Sequence, residues 1–148
     1  MRISPHFHLE EFTRSNTATE MKINNIPDVE QIQNITALCK TILEPVRKHF
    51  GKAVYITSGY RSKELNKAIG GSKYSQHIKG EAADFVVKDI PVSQVFDYII
   101  HHKIPFDQCI YEKKGGSEWI HISHKRNRRE KLLAIPNEKG LMTYHAVK

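Results

Sequence analysis

Between Ser75 and Asp84 the chain reads S-Q-H-I-K-G-E-A-A-D, which sets His77 and Asp84 seven positions apart around a glycine. Neither residue serves a hydrophobic period. Asp84 falls inside the strand-like run A-A-D-F-V-V, where an aspartate is unfavourable for β structure and costly if buried unpaired. It needs a partner, and a metal ion or a salt bridge would supply one. A second polar group, E-W-I-H, follows at Glu118 to His121. Imidazole and carboxylate are zinc ligands, and three of them with a fourth position open make the catalytic form of a zinc site. Zinc lowers the pKa of its bound water to about 7. A carboxylate must then carry the proton, for which Glu118 is the candidate. A cation must meet the oxyanion, for which Arg61, in the turn S-G-Y-R-S, is the candidate.

The elements that must position these residues can be read in order. Residues 1–27 are polar and irregular, with Phe7, Leu9 and Phe12 as anchors, L-E-E-F-T as a turn of helix and the T-A-T-E segment beyond it as a surface loop. A helix is expected from about Asp28 to His49, because Val29, Ile32, Ile35, Leu38, Ile42, Leu43 and Val46 recur at helical steps and make one apolar stripe. Asp28 and Gln31 suit a capping box, Pro45 should bend or end the last turns, and Gly51 supplies the stop. A strand at 53–57 leads to a short helix from Lys63 to about Ile69, capped by Ser62. A loop then offers His77, and Gly80 turns the chain into a strand at 82–87. A helix begins at Pro91 and ends near Lys103. Strands at 107–111 and 117–123 form a hairpin across K-K-G-G. On the return strand Trp119, His121 and Ser123 share one face. Glu118, at odd spacing from His121, must therefore sit in the turn or at a bulge to reach the same site. The tail, 125–148, has the form of a basic C-terminal hairpin.

Strands and helices mix without the regular alternation a parallel sheet requires, so the expected class is α+β, an antiparallel sheet with helices packed on one side. The 148 residues suffice for one domain with its own core. A net charge of +7 favours an anionic partner without choosing one. Cys39 and Cys109 lie far apart in apolar surroundings and read as buried, reduced thiols. No signal-peptide core or membrane-length run is evident, so synthesis in the cytoplasm without membrane insertion is expected. The chain carries nine histidines, and each of these side chains also has an ordinary reading as core or surface residue. His124 is the hardest to set aside, being three residues beyond His121, although it should point to the other face. Residue chemistry alone reaches a His/Asp/His metal site as one reading and stops there.

S-G-Y-R-S, S-Q-H-x-x-G-x-A-A-D and E-x-x-H-I-S, in that order, resemble the zinc D-Ala-D-Ala carboxypeptidase family, with its dipeptidases, phage L-alanyl-D-glutamate endolysins and a fold shared with the hedgehog signalling domain. The similarity runs from about Phe7 to Ser123 and is nearest the small single-domain phage and prophage forms. The resemblance implies one Zn2+ held by His77, Asp84 and His121, Glu118 as general base and then acid, and Arg61 on the scissile carbonyl. Ser75 matches a substrate-contacting position. It also implies a monomeric peptidase acting on peptidoglycan stem peptides at the bacterial wall, reached by release or export. A non-catalytic zinc-binding module, or a phage structural part, is the alternative. A nucleic-acid binder using Lys125 to Lys131 is a further one, weighed against a solvated hairpin edge.

Overall fold

The computed structural model describes residues 1–148. The N-terminal segment is more regular than its composition suggests. β1 (Arg2–Ser4) pairs with β2 (Phe7–His8), and two short helices follow, α1 (Glu10–Thr13) and α2 (Asn16–Glu20). The cause is burial: Phe7 and Phe12 are fully enclosed in the main core, while Ala18 and Ile23 pack with Leu65.

α3 (Val29–Leu38) starts in a reciprocal capping box, Gln31 N–H to the Asp28 carboxylate and Asp28 N–H to the Gln31 side chain, both 2.8 Å. Its buried stripe begins at Ile35, and Val29 is exposed. Pro45 does not end the helix. A π-helical turn at Cys39–Leu43 leads directly into α4 (Glu44–Phe50). Proline has no N–H to give and its ring crowds the carbonyl four residues back. The widened turn just before it absorbs both defects. Gly51, at φ +63°, closes the helix.

The remaining elements are β3 (Val54–Ser58), α5 (Lys63–Ala68), a 3-10 turn at Gln76–Lys79, β4 (Ala82–Val87), α6 (Val92–His101), β5 (Gln108–Lys114), β6 (Ser117–Ser123), β7 (Glu130–Pro136) and β8 (Met142–Ala146). Six strands form one sheet in the order β3-β4-β6-β5-β7-β8. Every pair is antiparallel except β5 with β7, which is parallel. The class is α+β, as expected, and the parallel pair is a departure from an all-antiparallel sheet. One face of the sheet (Ile56, Ala83, Phe85, Cys109, Ile120 and Ile122) packs against Leu38, Ile42, Val46, Val95 and Ile99 of the helices. The other face carries the polar residues of interest. Cys39 and Cys109 are free and buried, and burial pushes both thiols up, which keeps them unreactive. No helix is long and apolar enough to cross a membrane.

The basic run after β6 turns inward at two points. Arg128 clamps the fully buried Asp107, with Nε and a second guanidinium N–H donating to its two carboxylate oxygens at 2.8 and 2.9 Å. Arg129 donates to the Ile104 carbonyl and stacks 4.4 Å from the Phe106 ring centroid. These ties bring the chain back alongside β5, and they show why β7 runs parallel to it. Burial pushes the Asp107 carboxyl up, but the Arg128 hydrogen bonds outweigh it and the net shift is downward. A carboxylate with a depressed folded pKa adds stability above its unfolded value, near 3.8, and loses it as pH falls through the folded value. Arg128→Ala should therefore cost about 1–3 kcal/mol at pH 7. In urea titrations the gap to the parent should close steadily as pH is taken below 3.8.

Candidate metal centre and active-site cleft

β4 and β6 pair so that Asp84 stands directly opposite His121, with Ala82 opposite Ser123 and Phe85 opposite Ile120. Paired residues of an antiparallel ladder point to the same face with Cβ atoms about 5 Å apart. His77 comes to the same place from the 3-10 turn. Ser75 caps that turn, its Oγ accepting from the His77 N–H at 3.2 Å. Asn34 and Gln31 of α3 donate to the Lys79 and Ile78 carbonyls at 2.8 and 3.2 Å and hold the turn against the helix. Gly80 then reverses the chain at φ +74°, and a Cβ there would stand 2.6 Å from the Gln31 carbonyl oxygen. Only glycine meets both demands.

His77, Asp84 and His121 each present one ligand atom, and all three atoms lie within 4.8 Å of one another. Asp84 Oδ1 is 2.9 Å from His121 Nδ1 and 3.3 Å from His77 Nε2. The tautomer of His77 follows from its other nitrogen. Nδ1 lies 2.7 Å from the Gly59 carbonyl, which can only accept, so Nδ1 carries the proton and Nε2 a lone pair. Burial lowers the His77 pKa further than Asp84 raises it, so the ring is neutral. A neutral Nε2 facing a carboxylate oxygen sets two lone pairs against each other, an arrangement that a cation between them relieves. The backbone-anchored imidazole is the orientation metal-binding histidines adopt. The donor set, two imidazole nitrogens and one carboxylate oxygen, fits zinc.

The charge balance suits the same reading. Burial alone would push Asp84 up, but the hydrogen bond from His121 Nδ1 opposes it, and the net shift is well below the usual carboxylate range. Arg61 stands 3.7 Å from the other Asp84 oxygen, steadied by Ser58 Oγ at 3.2 Å and Asn66 Oδ1 at 3.3 Å. It lines a small neighbouring cavity of about 260 Å3 with Gly59 and Tyr60, while His121 opens onto a cleft of about 940 Å3. Ser75 lines that cleft, with its hydroxyl engaged as the turn cap.

Glu118 is not brought to these residues. β5 and β6 pair without a bulge from Cys109–Ile122 to Lys114–Ser117, so Glu118 keeps the parity of Ile120 and faces the helical side. There it is exposed and accepts a hydrogen bond from the Tyr111 hydroxyl. The turn or bulge that would have carried it to His121 is absent. The carboxylate on the metal side is Glu112. It pairs with Trp119, shares the face of His121 and lines the same cleft. Burial first, and the negative charge of Asp84 second, push its carboxyl pKa up. The Trp119 indole N–H beside it is buried without a hydrogen-bond partner. The pattern that betrays Glu112 is parity: across a tight hairpin with an even loop, even-numbered residues of β5 face the same way as His121. His124 is buried with its Nε2–H donating to the Asn34 carbonyl at 2.9 Å, away from the cluster.

The α+β sheet thus carries, at the end of a cleft, a His/Asp/His cluster that could hold a metal ion. The family model described as Peptidase M15 matches residues 5–123, and the chain belongs to that family of metallopeptidases. A comparison with curated proteins finds none that matches this chain.

Calorimetric titration of metal-stripped protein with Zn2+ should show about one site per chain. His77→Ala and Asp84→Asn should each abolish that site, and His124→Ala should retain it. Binding should also weaken as pH falls, because protons compete for the imidazole and carboxylate donors.

Proposed function

We propose that this chain is a zinc-dependent peptidase that hydrolyses an amide bond of a peptidoglycan stem peptide, serving as a small phage or prophage lysin at the bacterial wall. One observation carries the reading. His77, Asp84 and His121 converge, and His121 opens onto a cleft that Glu112, on the same sheet face, also lines. The Peptidase M15 match supports the substrate class.

His77 Nε2, Asp84 and His121 Nδ1 would hold a zinc ion, which would supply a Lewis acid and lower the pKa of bound water to about 7. The remaining steps belong to the chain. Glu112 takes one proton from the attacking water as its oxygen adds to the scissile carbonyl carbon. Arg61 places its positive charge toward the oxyanion that forms. Glu112 then passes the proton to the amide nitrogen, the C–N bond breaks, and the products are a carboxylate and an amine. Gly59 keeps His77 in the tautomer whose Nε2 lone pair is available to a metal. Ser75 acts by holding the His77 turn. We assign the proton-transfer role to Glu112 in place of Glu118, because strand parity puts Glu118 on the far side of the sheet.

A digest of purified peptidoglycan, with released fragments weighed by mass spectrometry, tests activity and bond choice together. Glu112→Gln should lower turnover by about 10²–10⁴-fold with zinc content unchanged. Glu118→Gln should stay within about twofold of the parent, since surface substitutions remote from a site have small effects. If zinc binds and no turnover is measurable, the site is a non-catalytic zinc-binding module; if Glu112→Gln turns over as the parent does, Glu112 is not the base.

A further inference from the structure

α5 holds one residue that its own helix does not explain. In K-E-L-N-K-A, Leu65 packs with Ala18 and Ile23, while Lys63, Glu64 and Lys67 are exposed. Asn66 is a weak helix former, yet it is only 2% exposed. A buried amide costs free energy unless its donor and its acceptor are both paired. Here both find partners. Asn66 Oδ1 accepts from Arg61 Nη1 at 3.3 Å, and Nδ2 donates to the Ser72 carbonyl at 2.9 Å. A guanidinium only donates and a carbonyl only accepts, so these two partners fix which way the amide faces.

The backbone around the amide is held from both sides. Ser62 caps α5, its Oγ accepting from the Leu65 N–H at 3.2 Å and its carbonyl from the Asn66 N–H at 2.9 Å. That turn of helix carries Asn66, five residues beyond Arg61, back to the guanidinium. On the far side the Gly71 N–H donates to the Asn66 carbonyl at 2.9 Å. A Cβ on Gly71 would stand 2.3 Å from Asn66 Oδ1. Gly71 is not among the glycines at positive φ, so what it supplies is space for the amide. The segment it opens, from Ser72 to Ser75, lines the cleft.

Charge shows why an amide suits this position. Arg61 is steadied by two neutral oxygens, Ser58 Oγ and Asn66 Oδ1, and its one ion pair is with Asp84 at 3.7 Å. Neutral acceptors orient a guanidinium without cancelling its charge. A carboxylate at position 66 would bind it more strongly and draw it from the Asp84 side. It would also set an oxygen lone pair against the Ser72 carbonyl.

Resting on the peptidase reading, we propose that Asn66 is a positioning residue of the reaction: its amide aims the Arg61 guanidinium at the oxyanion, and Gly71 keeps the space that the amide needs. Asn66 acts through Arg61.

The test is steady-state hydrolysis of a synthetic stem peptide, with zinc content measured alongside. Asn66→Ala should lower kcat about 10–100-fold and leave KM within about threefold, because an oxyanion contact is made only in the transition state. Asn66→Asp should not restore the rate. Gly71→Ala, which keeps Asn66 in the chain but displaces its amide, should reproduce the loss. The double variant should be no slower than Asn66→Ala alone, because both changes remove one contact. Zinc content should match the parent throughout. The Arg61 Nε–H resonance of the zinc-loaded protein, assigned by its absence in Arg61→Lys, gives a readout independent of turnover. It should move, and exchange faster with water, in both Asn66→Ala and Gly71→Ala. Parent-like kcat in either variant, a loss confined to KM, full activity in Asn66→Asp, or losses that multiply in the double variant overturns the assignment. If Asn66→Ala does not fold, Gly71→Ala decides alone. A parent that hydrolyses no stem peptide defeats the peptidase reading instead. The Arg61 resonance then still judges the contact: moved in Gly71→Ala, the tie to Asn66 stands, and unmoved, it falls.

Discussion

The pairing of β4 with β6 is the constraint on which the site depends. It sets Asp84 against His121 and, in the same ladder, Ala83 against Ile122 and Phe85 against Ile120. These two sets of pairs alternate between the faces of the sheet. A slip of one residue would drive Asp84 or His121 into the helical core and expose Phe85, Ile120 or Ile122, all of which are fully buried. Burying side chains of that size contributes about 1.5–3 kcal/mol each. The register of the metal cluster is therefore held by apolar groups that never touch it. The cluster itself could not hold the register, since a buried carboxylate among imidazoles and a guanidinium must first overcome its own desolvation.

The third ligand reaches that ladder by a different route. His77 is fixed from three sides: Ser75 below its N–H, Gly59 at its Nδ1, and α3 behind its turn through Gln31 and Asn34. Gly59 is itself pressed against Phe12, where a Cβ would stand 2.6 Å from the Phe12 backbone. The buried N-terminal segment thus sets the position of the carbonyl that selects the His77 tautomer. A chain of contacts runs from Phe12 in the core to the lone pair offered at the metal. This preorganisation is what allows a group of like-facing lone pairs to persist before any cation arrives.

Much of this was legible in the residues, and the exceptions have physical causes. The Asp28 capping box, the strand with a misplaced aspartate, the Gly80 reversal and the C-terminal hairpin all follow from local chemistry, and each appears where that chemistry places it. The N-terminal hairpin and the helix at Asn16–Glu20 did not, because this segment is ordered by burial of Phe7 and Phe12 by distant parts of the chain. Nor did the parallel β5–β7 pair, which rests on Arg128 reaching a buried Asp107. Glu112 is the instructive case. The tight turn is Gly115–Gly116, both at positive φ, so the strands extend to Lys114 and Ser117. A longer K-K-G-G loop preserves the same parity, and either version sets even residues of β5 beside His121. Proximity along the chain favoured Glu118, three residues from His121, but distance in sequence says little within a strand, where adjacent side chains face opposite ways.

The order of the strands also divides the molecule's labour. The metal cluster lies between the second and third strands, β4 and β6, and Glu112 lies on the fourth, β5. Everything added beyond β5 on the same face must line the approach to Glu112, whatever its sequence, because the sheet continues the floor at fixed spacing. The hairpin β7–β8 is such an addition, lying outside the family-matched residues yet paired along β5 from Gln108–Glu130 to Glu112–Ala134. A change in that hairpin leaves the Asp84–His121 register untouched, since no core pair of β4 or β6 involves it. The His77–Asp84–His121 cluster and the β7–β8 hairpin are thus carried on the same sheet but held by different interactions, and one can vary without disturbing the other.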